Sequence, residues 1–157
     1  MTSHSSTHTV TIGLVQETAS DNLADNVARA MVRVREAASR GAQIICLQEL
    51  FNAPYFCKII RADRFDIAEP LDGPTVSTMQ SLAKELGVVL VVPFYEKQTA
   101  GLYRNSATVI DADGAVLGTY RKMHIPHDPL FEEKYYFAPG DVGPDLRASF
   151  RISSERA

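Results

Sequence analysis

The chain has 157 residues, 45% of them hydrophobic and 22% charged, with sixteen Lys and Arg against nineteen Asp and Glu and a formal net charge of −3. One domain of this size buries a sufficient core without disulfides or a structural metal, and its interspersed charges leave no polyelectrolyte footprint for nucleic acid. No apolar run approaches the roughly 18 residues that span a bilayer, the opening MTSHSSTHT lacks the basic start and apolar centre of a leader, and Cys46 and Cys57, each among apolar neighbours, fit reduced thiols of a cytoplasmic protein.

Residues 1–8 are Ser, Thr and His with little to bury and read as a disordered tail. Val10, Ile12 and Leu14 alternate with Thr11 and Gly13, which predicts a first strand over residues 9–16. Ser20 and Asp21 are placed to cap a helix whose apolar residues Leu23, Val27, Ala30, Met31, Val34 and Ala38 recur at three- and four-residue steps until Gly41. Ile44 to Leu47 is apolar on both faces, as in a central parallel strand. Loop punctuation follows at Asn52, Pro54, Pro70 and Gly73. Thr75 is placed to cap a second helix, carrying Val76, Met79, Leu82, Ala83 and Leu86 on one face and ended by Gly87; Val88 to Val92 reads as a third buried strand. From Tyr103 to Tyr120, two alternating runs joined by Asp111-Ala112-Asp113-Gly114 predict an antiparallel hairpin. The pattern is an α/β fold of βαβ units followed by that hairpin.

Glu49 follows the second strand directly, where open α/β sheets place their ligands. A carboxylate there suits a general base, although read from position alone a solvated loop acid capping Asn52 or a neighbouring amide fits better. Lys122 ends the hairpin, and strand alternation makes it point away from Arg121; an ammonium in a partly apolar cleft stabilises an oxyanion, although most strand-end lysines are simply solvated. Glu132 and Glu133 stand next to aromatics. Either is able to pair with Lys122 and orient it, but read alone both fit a solvated turn better. His124 and His127 flank Ile125-Pro126, which breaks the geometry a metal pair would need, and no glycine-rich phosphate loop occurs.

Three segments together resemble the carbon–nitrogen hydrolase family, or nitrilase superfamily: Leu47-Gln48-Glu49-Leu50-Phe51, Tyr120-Arg121-Lys122-Met123-His124-Ile125-Pro126, and Glu133-Lys134-Tyr135-Tyr136-Phe137 with Pro139-Gly140-Asp141. Within it the sequence is most similar to the N-carbamoylputrescine amidohydrolases, through Phe51 to Cys57, Asn105-Ser106-Ala107, Asp111 to Gly114 and Glu132 to Phe137. The resemblance implies hydrolysis of a non-peptide C–N bond in a small carbamoyl or amide compound by Cys-Glu-Lys chemistry, with no metal or organic cofactor. Glu49 matches the general base, Lys122 the oxyanion stabiliser, and Glu133 the acid that orients lysine and substrate.

The family's nucleophilic cysteine follows its second glutamate at the end of an apolar strand. After Gly143 this sequence reads PDLRASFRISSERA, without cysteine. Neither Cys46, in the strand before Glu49, nor Cys57, in a loop, is a ready substitute. The expectation is therefore the N-terminal part of the domain over residues 9–143, with a divergent tail over 144–157, truncated before its nucleophile and inactive alone. In fold this is one half of a four-layer αββα sandwich. The inner sheet face would lack its partner, which predicts a chain that self-associates as a homo-oligomer, is bound to a partner or folds poorly. The alternative is a noncatalytic α/β binding or interaction module.

Overall fold

The computed structural model describes residues 9–141, so the readings made for residues 1–8 and 144–157 lie outside the described residues. Five strands form one sheet in chain order: β1 (Ile12–Val15), β2 (Ile44–Leu47), β3 (Val89–Thr99), β4 (Leu102–Ile110) and β5 (Val116–Arg121). β1 with β2 and β2 with β3 are parallel; β3 with β4 and β4 with β5 are antiparallel. The crossovers are α1 (Leu23–Ser39) and α2 (Pro74–Leu86).

Local chemistry sets the element ends. The cap of α1 is Asn22, whose side chain accepts the Asp25 N–H, rather than Ser20 or Asp21. Thr75 lies inside α2 instead of capping it: Pro74 takes the first helical position, where a missing N–H costs nothing, and Gly87 closes the helix at φ 63°. The first strand is shorter than its alternation implied and the third much longer. Pro93 sits within β3 because Val89 turns its N–H to β2 and alternation gives Pro93 the same direction, just past Val91, the last residue β2 pairs. Beyond the proline, Tyr95 and Lys97 pair on that side with Glu69.

The sheet's two faces differ. Ile45, Leu47, Leu90, Val92, Phe94 and Ile110 pack beneath Val34, Val76, Met79 and Leu82 of the two helices. Pairing assigns Ile12, Leu14, Ile44, Cys46, Val91, Ala107, Val109 and Tyr120 to the other face. Leu14 there is 81% exposed and Ile12 63%. One end of this open face is covered by an aromatic cluster of Phe56, Tyr95, Tyr136 and Phe137 with Leu50, Ala53, Cys57 and Ile125. Phe56 meets Tyr136 edge-on at 5.0 Å between ring centroids.

Candidate active site

Glu49 stands two residues beyond β2, and the chain turns sharply behind it: Leu50 takes φ 51°, a left-handed conformation uncommon outside glycine. Burial of the Leu50 side chain in the aromatic cluster and an Ala53 N–H bond to the Leu50 carbonyl hold that turn. Further along, Asn52 is locked from both sides. Asn26 of α1 donates to its carbonyl at 2.9 Å, and the Asn52 amide donates to Thr75, whose hydroxyl and N–H both go to the Glu69 carboxylate.

Lys122 continues from β5, with its N–H bonded to the Asn105 carbonyl at 2.8 Å and its own carbonyl accepting from Gly140. Arg121 and Lys122 do diverge. The Arg121 guanidinium forms two bonds with buried Glu96 on the helix side, at 2.6 and 2.7 Å. Lys122 Nζ reaches the opposite side and donates to Glu49 Oε1 at 3.0 Å and to Glu133 Oε2 at 2.8 Å. Of the two adjacent acids, Glu133 opens the short helix α3 (Glu133–Tyr136) and turns inward, 2% exposed. Glu132, one position earlier, is partly exposed and lies near His127 instead. The sequence-level preference for two solvated acids thus fails for Glu133, since the aromatic residues beside it bury the helix that carries it.

Two neighbours complete the cluster. Asn105 Nδ2 donates to Glu49 Oε1 at 2.6 Å, and Tyr55 Oη donates to Glu133 Oε1 at 2.7 Å. Both lie in segments that carried the family resemblance, yet neither was singled out. The available signal for Asn105 was a polar residue sharing a strand face with the apolar Ala107 and Val109, the face turned away from the helices.

The electrostatics follow from these contacts. Burial alone would lower the Lys122 pKa, but hydrogen bonds to Glu133 and Glu49 outweigh it and raise the ammonium above its ordinary value. Burial, then the bond to Glu133, pushes the Tyr55 hydroxyl up and keeps it a neutral donor. Cys57 is wholly buried nearby. Desolvation first, then the charges of Glu133 and Glu49, push its thiol up against the opposing effect of Lys122. Cys46 is raised by burial. Neither thiol has the electropositive, accessible surroundings of a reactive thiolate. The cluster itself is open, with the Glu49 side chain half exposed. A separate groove of about 340 Å³ runs along the free edge of β1 beside Arg33 and Arg40.

The arrangement offers a carboxylate able to accept a proton, an ammonium whose charged form its two acidic partners favour, and a buried carboxylate bonded to that ammonium. Sequence comparison matches residues 11–154 to the carbon–nitrogen hydrolase family. The N-carbamoylputrescine amidase of Arabidopsis thaliana is 50% identical over 135 residues, covering 85% of this chain and 45% of that protein. A citrullinase of Francisella tularensis is 40% identical, with 85% and 47% covered. The crystal structure of a carbon–nitrogen hydrolase from Helicobacter pylori G27 superposes with a TM-score of 0.82 at 36% identity, over 87% of this chain and 47% of that one. The chain thus spans about half the length of the relatives it matches. With a family match running through nearly all of its length, the chain belongs to the carbon–nitrogen hydrolase family.

Proposed function

We propose that residues 9–143 form the N-terminal part of a carbon–nitrogen hydrolase domain and supply the acid–base and electrostatic part of its site. Glu49 is the general base, Lys122 the oxyanion stabiliser, and Glu133 the acid that orients Lys122. The supporting observation is the convergence of Glu49 and Glu133, 84 positions apart, on one lysine Nζ at 3.0 and 2.8 Å. The substrate class is a small carbamoyl or amide compound resembling N-carbamoylputrescine, supported by the name of the 50% identical relative; a role in polyamine metabolism in the cytoplasm is part of the proposal.

In this mechanism a thiol gives its proton to Glu49 as its sulfur attacks the carbamoyl or amide carbon, and Lys122 stabilises the tetrahedral oxyanion. Glu49 returns the proton to the departing nitrogen and then activates water, which cleaves the thioester or thiocarbamate. Because Cys57 is buried and Cys46 stands on β2, the chain alone has no thiolate for the first step. Grafting the C-terminal half of the Arabidopsis relative after Gly143 tests the reading. The graft is expected to release ammonia from N-carbamoylputrescine while this chain alone stays at background. A folded graft without turnover, or turnover by the chain alone after replacement of both Cys46 and Cys57 by Ser, would overturn it.

A second reading, a noncatalytic module that associates with another copy of itself or with a partner, is favoured by the exposed Ile12, Leu14 and Tyr120 of the open face.

A further inference from the structure

We propose that Asn105 is a positioning residue that sets the distance between Glu49 and Lys122 and selects which Glu49 oxygen acts. The proposal rests on the reading of Glu49 as the base. Asn105 occupies the middle strand β4 of the antiparallel part of the sheet and is 5% exposed. It holds both partners at once: its carbonyl accepts the Lys122 N–H at 2.8 Å, and its Nδ2 donates to Glu49 Oε1 at 2.6 Å. Lys122 Nζ donates to that same Oε1. Two donors on one oxygen leave Oε2 as the oxygen with acceptor capacity to spare, since a carboxylate offers about four lone-pair sites over its two oxygens.

The effect on the ammonium is indirect. Glu49 leaves its strand through the turn at Leu50 and its side chain is half exposed, so without Asn105 little confines its carboxylate to the lysine. Glu133 is different, being buried and held by Tyr55. Loss of Asn105 therefore loosens the Glu49–Lys122 contact and leaves the Glu133–Lys122 contact standing. The groups facing Lys122 are Glu49, Glu133 and, at longer range, the Cys57 thiol.

The test follows the Lys122 titration by side-chain NMR in the full chain, for Asn105→Ala and the volume-keeping Asn105→Leu, each alone and combined with Glu49→Ala. The expected result is a downward shift of the Lys122 midpoint in each Asn105 variant and no further shift once Glu49→Ala is present, because Asn105 acts through Glu49. An unchanged midpoint, or a shift that persists in the Glu49→Ala background, would overturn the proposal. Should both Asn105 variants unfold, the Asn105 side-chain amide protons decide in the unaltered chain. They are expected downfield and to move upfield on Glu49→Ala, and protons insensitive to that change would contradict the proposal. A graft that fails to turn over would sink the hydrolase reading yet leave this coupling in place, whereas absent coupling sinks the positioning role alone.

Discussion

At the scale of single residues, the two thiols differ in access, and this separates structural from reactive roles. Cys57 is sealed at 0% exposure, while Cys46 looks onto the open sheet face. A thiol reagent at mildly alkaline pH is expected to modify Cys46 first and Cys57 only as the chain unfolds, read by mass spectrometry of the digested protein. Equal rates in the folded chain would mean that Cys57 is accessible and would reopen its candidacy as a nucleophile. Lys122 makes an independent prediction. Its folded pKa is raised, so its pairs stabilise the fold fully below the ordinary lysine value, about 10.4, and that stability is lost as pH rises through the higher folded value. Lys122→Met is expected to flatten the alkaline limb of stability against pH in denaturant melts, and an unaltered limb would show that the ammonium contributes nothing there. The roles expected for Glu49, Lys122 and Glu133 came from matching motifs. The inward turn of Glu133 was not legible in its own neighbourhood, because two adjacent acids look alike until the helix they open acquires a buried side.

At the scale of elements, the apolar periodicities of α1 and α2 and the loop Asp111 to Gly114 were readable because each carries a strong local signal. The seven residues of β3 beyond Val92 were not, since Pro93 mimics a strand end and its tolerance depends on a neighbouring strand stopping at the same level. The cap of α1 at Asn22 was missed because Ser20, Asp21 and Asn22 all have capping chemistry and only the backbone angles choose among them. The network joining β3, β4 and β5 makes its own prediction. Burial would raise the Glu96 carboxyl, but bonds from Arg121 and Ser106 outweigh it and hold the pKa below the ordinary glutamate value. Its contribution is therefore present above that ordinary value and lost as pH falls through the lower folded one. Glu96→Gln is expected to destabilise by on the order of 3 kcal/mol at neutral pH, by leaving Arg121 without its counter-charge, and to reduce the acid-dependent loss of stability. An acid limb identical to that of the unaltered chain would contradict this. Gly140 lies so close to β5 that a Cβ would meet the Arg121 carbonyl oxygen at 2.2 Å. Gly140→Ala is expected to cost about 1–3 kcal/mol by pushing away the segment that holds the Lys122 backbone, and a melt unchanged by the substitution would refute that packing.

At the scale of the whole molecule, the sheet has one face packed by helices and another on which Ile12, Leu14 and Tyr120 are exposed. Each roughly 400 Å² of bare apolar surface that becomes covered favours association by on the order of 10 kcal/mol before the entropic cost of bringing chains together. The chain is expected to sediment as a concentration-dependent oligomer at low micromolar concentration, and Leu14→Lys to shift it towards monomer. A cooperative, concentration-independent monomer would contradict that expectation. The central claim is that Glu49, Lys122 and Glu133 work as one unit, and the grafted protein tests it most directly. Ammonia release from N-carbamoylputrescine is measured for Glu49→Gln, Lys122→Ala and Glu133→Gln, singly and combined, each with a melt to show that it folds. The account predicts that every single substitution removes most of the turnover and that the triple variant is scarcely worse than the poorest single one. Losses that multiply, or a folded Glu133→Gln variant with near-full turnover, would contradict it.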